Sequence, residues 1–218
     1  MTTRFLLLRH AETPSNAAGR TQGRSDLALT ERGMRQAATV GLALAPYRPQ
    51  AVYSSPALRA RLTAAEVSKF LGLDVVVDER LHEVDHGEVD SLTGEEIRER
   101  FPDFLERWRG SEVADLRMPG GESMRDAQER MLDFARDAAA RYPDGEVVAV
   151  SHNLSLHALL TAALGVPLAA FRAFRIDLAS LSVAELREGG RWAVVTLNER
   201  CHLPEDPPDG ESSTEPND

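Results

Sequence analysis

The order of apolar and polar segments predicts an α/β protein, a three-layer α/β/α sandwich on a mainly parallel sheet with an antiparallel edge strand. Three observations carry this. Residues 5–8 and 147–150 are apolar without alternation, the pattern of strands covered on both faces. These runs are separated by segments with helical period. These runs, and the short strand over 51–54, also end in polar residues, Arg9-His10, Ser151-His152 and Ser54-Ser55, at the strand end where open α/β sheets bind ligands.

Taken in order, the first strand is followed by a polar, turn-rich stretch over residues 12–26 that reads as a loop. Thr30 can cap a helix over 31–44, in which Gly33 suggests a close backbone approach. Residues 51–54 form a second strand. Ser55-Pro56 then reads as a helix start, serine cap and proline at the first position, with Arg59 in the first turn of a helix reaching 71. A helix N-terminus beside an arginine is a plausible anion seat. Residues 74–77 are a third strand. Residues 81–92 are irregular, and two short helices over 93–109 read as an insertion, about 93–118, lying over the active site. Ser123 caps a helix to about 142, whose apolar stripe is Met124, Ala127, Met131, Phe134 and Ala138. The strand 146–151 delivers His152 into a helix closed by Gly165 and Pro167. A hairpin over 180–197 turns at Gly189-Gly190. The expected organisation is one domain over 1–203 and an acidic, disordered tail over 204–218.

With 218 residues and 42% hydrophobic content the chain can bury a core, and its net charge of −10 argues against nucleic-acid and anionic-membrane partners. Cys201 is the one cysteine, so no internal disulfide can form, and a reducing, cytoplasmic location is expected. The four-residue apolar run near the start is too short for an export or membrane signal. Monomer and homodimer both remain open.

The convergent residues suit phosphoryl transfer. Arginine forks bind phosphate oxygens, a neutral imidazole can attack phosphorus, and a second histidine can donate to the equatorial oxygens. Glu83 is the best candidate for the proton donor to the leaving oxygen. These residues also match a family. Leu8-Arg9-His10-Ala11-Glu12-Thr13 with Asn16 resembles the opening signature of the histidine phosphatase superfamily, phosphoglycerate-mutase-like branch. Ser54-Ser55-Pro56 with Arg59-Ala60, Leu81 with Glu83 and Gly87, Pro119-Gly120-Gly121-Glu122-Ser123, and Val150-Ser151-His152 are similar to its later blocks, in order. The resemblance implies His10 as the phosphorylated nucleophile, with Arg9, Arg59, His152 and Asn16 as the phosphate pocket. It implies Glu83 as proton donor and later base, and no metal or organic cofactor. The implied activity is hydrolysis of a small phosphorylated metabolite, with phosphoglycerate mutation as the alternative and non-catalytic phosphate binding behind it. Ala11, His86–Ser91 and Asn153 depart from the pattern.

Other residues read more plainly. His82-Glu83-Val84-Asp85-His86 fits the zinc-protease pattern H-E-x-x-H, which needs a helix that Gly87 interrupts. His86 is expected as a surface-loop histidine, His157 as packed in a helix, Arg20 as a loop or rim arginine, and Cys201 as incidental.

Overall fold

The computed structural model describes residues 1–203; the acidic tail expected to be disordered lies outside them. The strands are β1 (Thr2–Arg9), β2 (Ala51–Ser54), β3 (Val75–Val77), β4 (Glu146–Ser151), β5 (Leu181–Arg187) and β6 (Arg191–Glu199). They form one sheet in the order β3-β2-β4-β1-β5-β6. β3, β2, β4 and β1 run parallel, and β5 and β6 complete the sheet antiparallel.

The helices are α1 (Pro14–Ala17), α2 (Glu31–Leu44), α3 (Leu58–Leu71), α4 (Gly94–Arg100), α5 (Pro102–Arg109), α6 (Met124–Arg141) and α7 (Asn153–Leu164). Alternate strand residues feed opposite layers. Phe5, Leu7, Tyr53, Val147 and Ala149 pack on Met131, Phe134 and Ala138 of α6 and Leu156 and Leu159 of α7. Leu6, Leu8, Val52, Val148 and Val150 pack on Ala37, Val40 and Leu44 of α2 and Ala60, Ala64 and Val67 of α3. Burying each large apolar side chain contributes about 1.5–3 kcal/mol, so β1 and β4 are pinned on both faces. A third cluster ties α4 and the following turn, through Ile97, Val113 and Met118, to Met124 and Phe171.

Gly33 meets the expectation of close approach: a Cβ there would lie 2.1 Å from the Glu12 carbonyl oxygen. Two local expectations fail. Residues 14–17, read as loop, form α1, because Thr13 and Asn16 make a capping box with Pro14 at the first position. The Ser55-Pro56 helix start is also wrong. α3 begins at Leu58 after an extended Ala57, which supplies no cap; the Leu58 N–H donates instead to Asp26 Oδ1 at 2.6 Å. The Ser55 hydroxyl accepts from the Ala57 N–H at 3.3 Å, one residue short of the helix.

Candidate active site

Register brings the polar strand ends into one row. Leu8 pairs with Val150, and Val150 with Ser54. One step further, the His10 N–H donates to the Ser151 carbonyl at 3.0 Å and the Ser55 N–H to the Val150 carbonyl at 3.0 Å. His10, Ser55 and His152 therefore emerge side by side, and the His10 and His152 ring centroids are 5.1 Å apart.

The ring tautomers follow from the partners. His10 Nδ1 lies 2.8 Å from the Ala11 carbonyl oxygen, which only accepts, so the proton is on Nδ1 and Nε2 keeps its lone pair. Arg59 Nε donates to His152 Nδ1 at 3.1 Å, so the His152 proton is on Nε2, 2.7 Å from Ser55 Oγ. The same oxygen accepts from the Ala57 N–H at 3.3 Å, ahead of the first helical residue.

Arg59 has no solvent exposure. Its fork donates to the carbonyls of Ser25 (2.8 Å), Gly23 (2.8 Å) and Gln22 (3.3 Å). Asp90 takes the N–H groups of Gly23, Arg24 and Ser25 from the same loop. A guanidinium and a carboxylate thus clamp residues 22–25 between them. Burial brings Arg59 down to about 10, against the pull of Glu83, Asp26 and Asp90. Arg9 is buried and donates Nη1 to the Ile176 carbonyl at 2.8 Å.

Glu83 is buried at the N-terminus of α7. Its Oε1 accepts from the Ser155 N–H (3.0 Å) and the Val84 N–H (2.8 Å), and its Oε2 from the Leu154 N–H (3.1 Å). A carboxylate at free helix N–H groups is favourably placed, and α7 has no other side-chain cap. Arg130 holds the segment beneath it, donating Nη1 to the Arg80 and His82 carbonyls, each at 2.6 Å.

Arg9, His10, Asn16 and Glu83 line one cavity of about 180 Å³, while Arg59 and His152 stand behind its wall, fully buried. Asn16 is held by α1, with Oδ1 accepting from the Thr13 N–H at 3.1 Å. Arg20 lines the cavity and pairs with Glu96 at 2.8 Å. His157 is packed, its ring nitrogens on the Asn153 and Phe174 carbonyls. His86 departs from expectation. It is buried and lines the cavity, because Gly23 lets its backbone approach: a Cβ on Gly23 would lie 2.8 Å from His86 N. The zinc-protease pattern has no helix to sit on, since residues 82–86 are irregular. Among the described residues no group of His, Cys, Asp and Glu could hold a metal. No helix there is long and apolar enough to cross a membrane. Sequence reading missed Asp90, Arg130 and the Ser55 contact with His152.

Burial holds the ring histidines neutral. His10 and His152 both lie well below the ordinary 6.5, through desolvation first and Arg59 second, and burial also lowers His86 and His157. Above about pH 6.5 folded and unfolded chains are both neutral at these positions, and stability does not depend on them. Below it the unfolded chain takes protons that the folded chain refuses. Each histidine then costs up to about 1.4 kcal/mol per pH unit. The urea midpoint is expected to fall between pH 7 and pH 5, measured by equilibrium denaturation.

The chain matches the model of the histidine phosphatase superfamily (branch 1) over residues 5–200. It is 37% identical over 202 residues to phosphoserine phosphatase 1 of Hydrogenobacter thermophilus, covering 93% of this chain and 95% of that protein. It is 35% identical over 210 residues to a Salmonella paratyphi C protein named "Probable phosphoglycerate mutase GpmB", covering 90% and 93%. The structure of a mycobacterial glucosyl-3-phosphoglycerate phosphatase superposes with a TM-score of 0.83 at 31% identity, covering 92% of this chain and all of that one.

Proposed function

Because the chain belongs to the histidine phosphatase superfamily, branch 1, we propose that it hydrolyses small phosphomonoesters through a phosphohistidine on His10. The observation that carries this reading is the His10 ring: neutral, its Nδ1 proton on the Ala11 carbonyl, its Nε2 lone pair unprotonated in a cavity shared with Arg9 and Glu83. Nε2 attacks phosphorus, the ester P–O bond breaks, and the leaving oxygen takes a proton from Glu83. Water then attacks the phosphohistidine, gives its proton to Glu83, and the P–N bond returns its electrons to Nε2. Oε2 of Glu83 holds a single N–H, which leaves it the capacity to carry that proton.

Arg9 and Asn16 meet the phosphate oxygens. Arg59 acts from behind, adding its charge to the seat and fixing the His152 tautomer whose Nε2–H goes to Ser55 Oγ. Rapid quench with ³²P-labelled substrate is the test: acid-labile, alkali-stable label on the wild type, absent from His10→Ala. Equal label on both chains refutes the reading.

Glu83→Gln is expected to slow alkyl phosphate turnover by about 10²–10⁴-fold while slowing 4-nitrophenyl phosphate far less, since a good leaving group needs no proton. Equal losses on both substrates would remove Glu83 as the acid. The similarity to the mutase-named relative supports a second reading, phosphoryl return to phosphoglycerate. A coupled assay in which 2- and 3-phosphoglycerate interconvert faster than phosphate appears would favour it.

A further inference from the structure

The His10 ring keeps its proton on Nδ1 because of one acceptor, the Ala11 carbonyl oxygen at 2.8 Å. That carbonyl belongs to the Ala11–Glu12 peptide unit. In a trans peptide the C=O and the N–H point in opposite directions, so whatever holds the Glu12 N–H also aims the Ala11 oxygen. The Glu12 N–H donates to Gln36 Oε1 at 3.0 Å, and Gln36 is buried. A backbone N–H can only donate, so Gln36 must turn its oxygen, and not its NH₂, toward the chain. The chemistry at phosphorus gives Gln36 no task of its own.

The first turns of α2 are pressed onto this stretch of chain. A Cβ on Gly33 would lie 2.1 Å from the Glu12 carbonyl oxygen. The Thr30 N–H donates to that oxygen at 3.0 Å, and the Thr30 hydroxyl to Glu12 Oε1 at 2.7 Å. Gln36 follows Gly33 by three residues, on the same helix face, and so arrives beside the Glu12 N–H. The preceding peptide unit, His10–Ala11, is tied separately. Its N–H donates to Thr63 Oγ1 at 3.0 Å, and its carbonyl accepts from the Ala179 N–H at 3.2 Å. Gln36 thus anchors the peptide unit that carries the His10 acceptor, and other groups anchor its neighbour.

Resting on the phosphohistidine reading, we infer that Gln36 is a positioning residue: by holding the Glu12 N–H it keeps the Ala11 carbonyl on His10 Nδ1 and leaves Nε2 unprotonated for attack. Without the amide oxygen the buried Glu12 N–H has no partner, and reversing the peptide plane relieves that cost. A reversed peptide presents its N–H, not its carbonyl, to Nδ1. The ring then accepts at Nδ1, carries its proton on Nε2, and has no lone pair to offer phosphorus.

The test is long-range ¹H–¹⁵N spectroscopy of ¹⁵N-histidine-labelled chains at neutral pH, with His10 assigned by its absence from His10→Ala, alongside steady-state kinetics on 4-nitrophenyl phosphate. Gln36→Met keeps the side-chain volume and removes the acceptor. It is expected to move the His10 proton, in part or wholly, from Nδ1 to Nε2. It is also expected to lower kcat about tenfold, the worth of one hydrogen bond, with KM held within about twofold. Gln36→Glu, which restores an acceptor oxygen, is expected to return the wild-type tautomer and part of kcat. Gln36→Asn, whose amide falls one methylene short, gives the same comparison should methionine not fold there. A wild-type His10 tautomer in Gln36→Met, or in Gln36→Asn where that variant replaces it, overturns the proposal whatever the rate does, because a merely structural residue slows the enzyme without moving that proton. The tautomer is read without turnover, so the phosphohistidine reading is judged separately, by acid-labile label on the wild-type chain.

Discussion

His10→Ala is expected to lower phosphate release by about 10⁴-fold or more, the scale on which removal of a covalent nucleophile acts. The residual rate comes from the phosphate pocket alone. The fold should survive the change. The ring makes one hydrogen bond, to the Ala11 carbonyl, worth about 1 kcal/mol, while the backbone of residue 10 keeps its bonds to Ser151 and Ala179. Inorganic phosphate should still bind, because Arg9, Arg59 and His152 are untouched. Steady-state kinetics, a thermal melt and a phosphate titration on the same preparation check the three parts together. A variant that turns over within tenfold of the wild type would end the covalent mechanism.

Arg59→Ala is expected to fail on both stability and rate. The side chain is wholly buried, and its removal strands the Gln22, Gly23 and Ser25 carbonyls and His152 Nδ1. It also leaves Asp90 holding the other side of a loop that has lost its clamp. Breaking such a buried charged set costs about 3–5 kcal/mol. Below its unfolding midpoint the variant should still lose about 10²–10³-fold in kcat/KM, because His152 no longer has a fixed tautomer. Arg59→Lys keeps the charge but has no fork to reach a ring nitrogen and three carbonyls, so it should regain stability before rate. Urea denaturation and kcat/KM on both variants decide this. A wild-type midpoint for Arg59→Ala would show that the clamp contributes little.

The site was legible where residue type and strand position coincide. Arg9-His10 and His152 each follow an apolar run, so chain order alone placed them at a carboxyl strand end. Glu83 had no such signal. It sits in an irregular segment, and its position depends on the N–H groups of α7, some seventy residues away. His86 was misread for the same reason: a polar residue in a loop looks solvated until Gly23, far along the chain, is found packed against it. Asp90 and Arg130 gave no local sign, since each acts on backbone groups of a distant segment.

The sequence by itself determined the layer order, the strand and helix types, and the parallel core. These follow from apolar periodicity, which is local and repeated. It also offered candidate residues for phosphoryl chemistry. Only the tertiary structure decided where they sit, with Arg9, His10 and Glu83 at the cavity and Arg59 behind His152. The reason is that buried hydrogen-bond donors are allotted by proximity in space, and a guanidinium fork satisfied by carbonyls from a remote loop leaves no trace in the residues beside it.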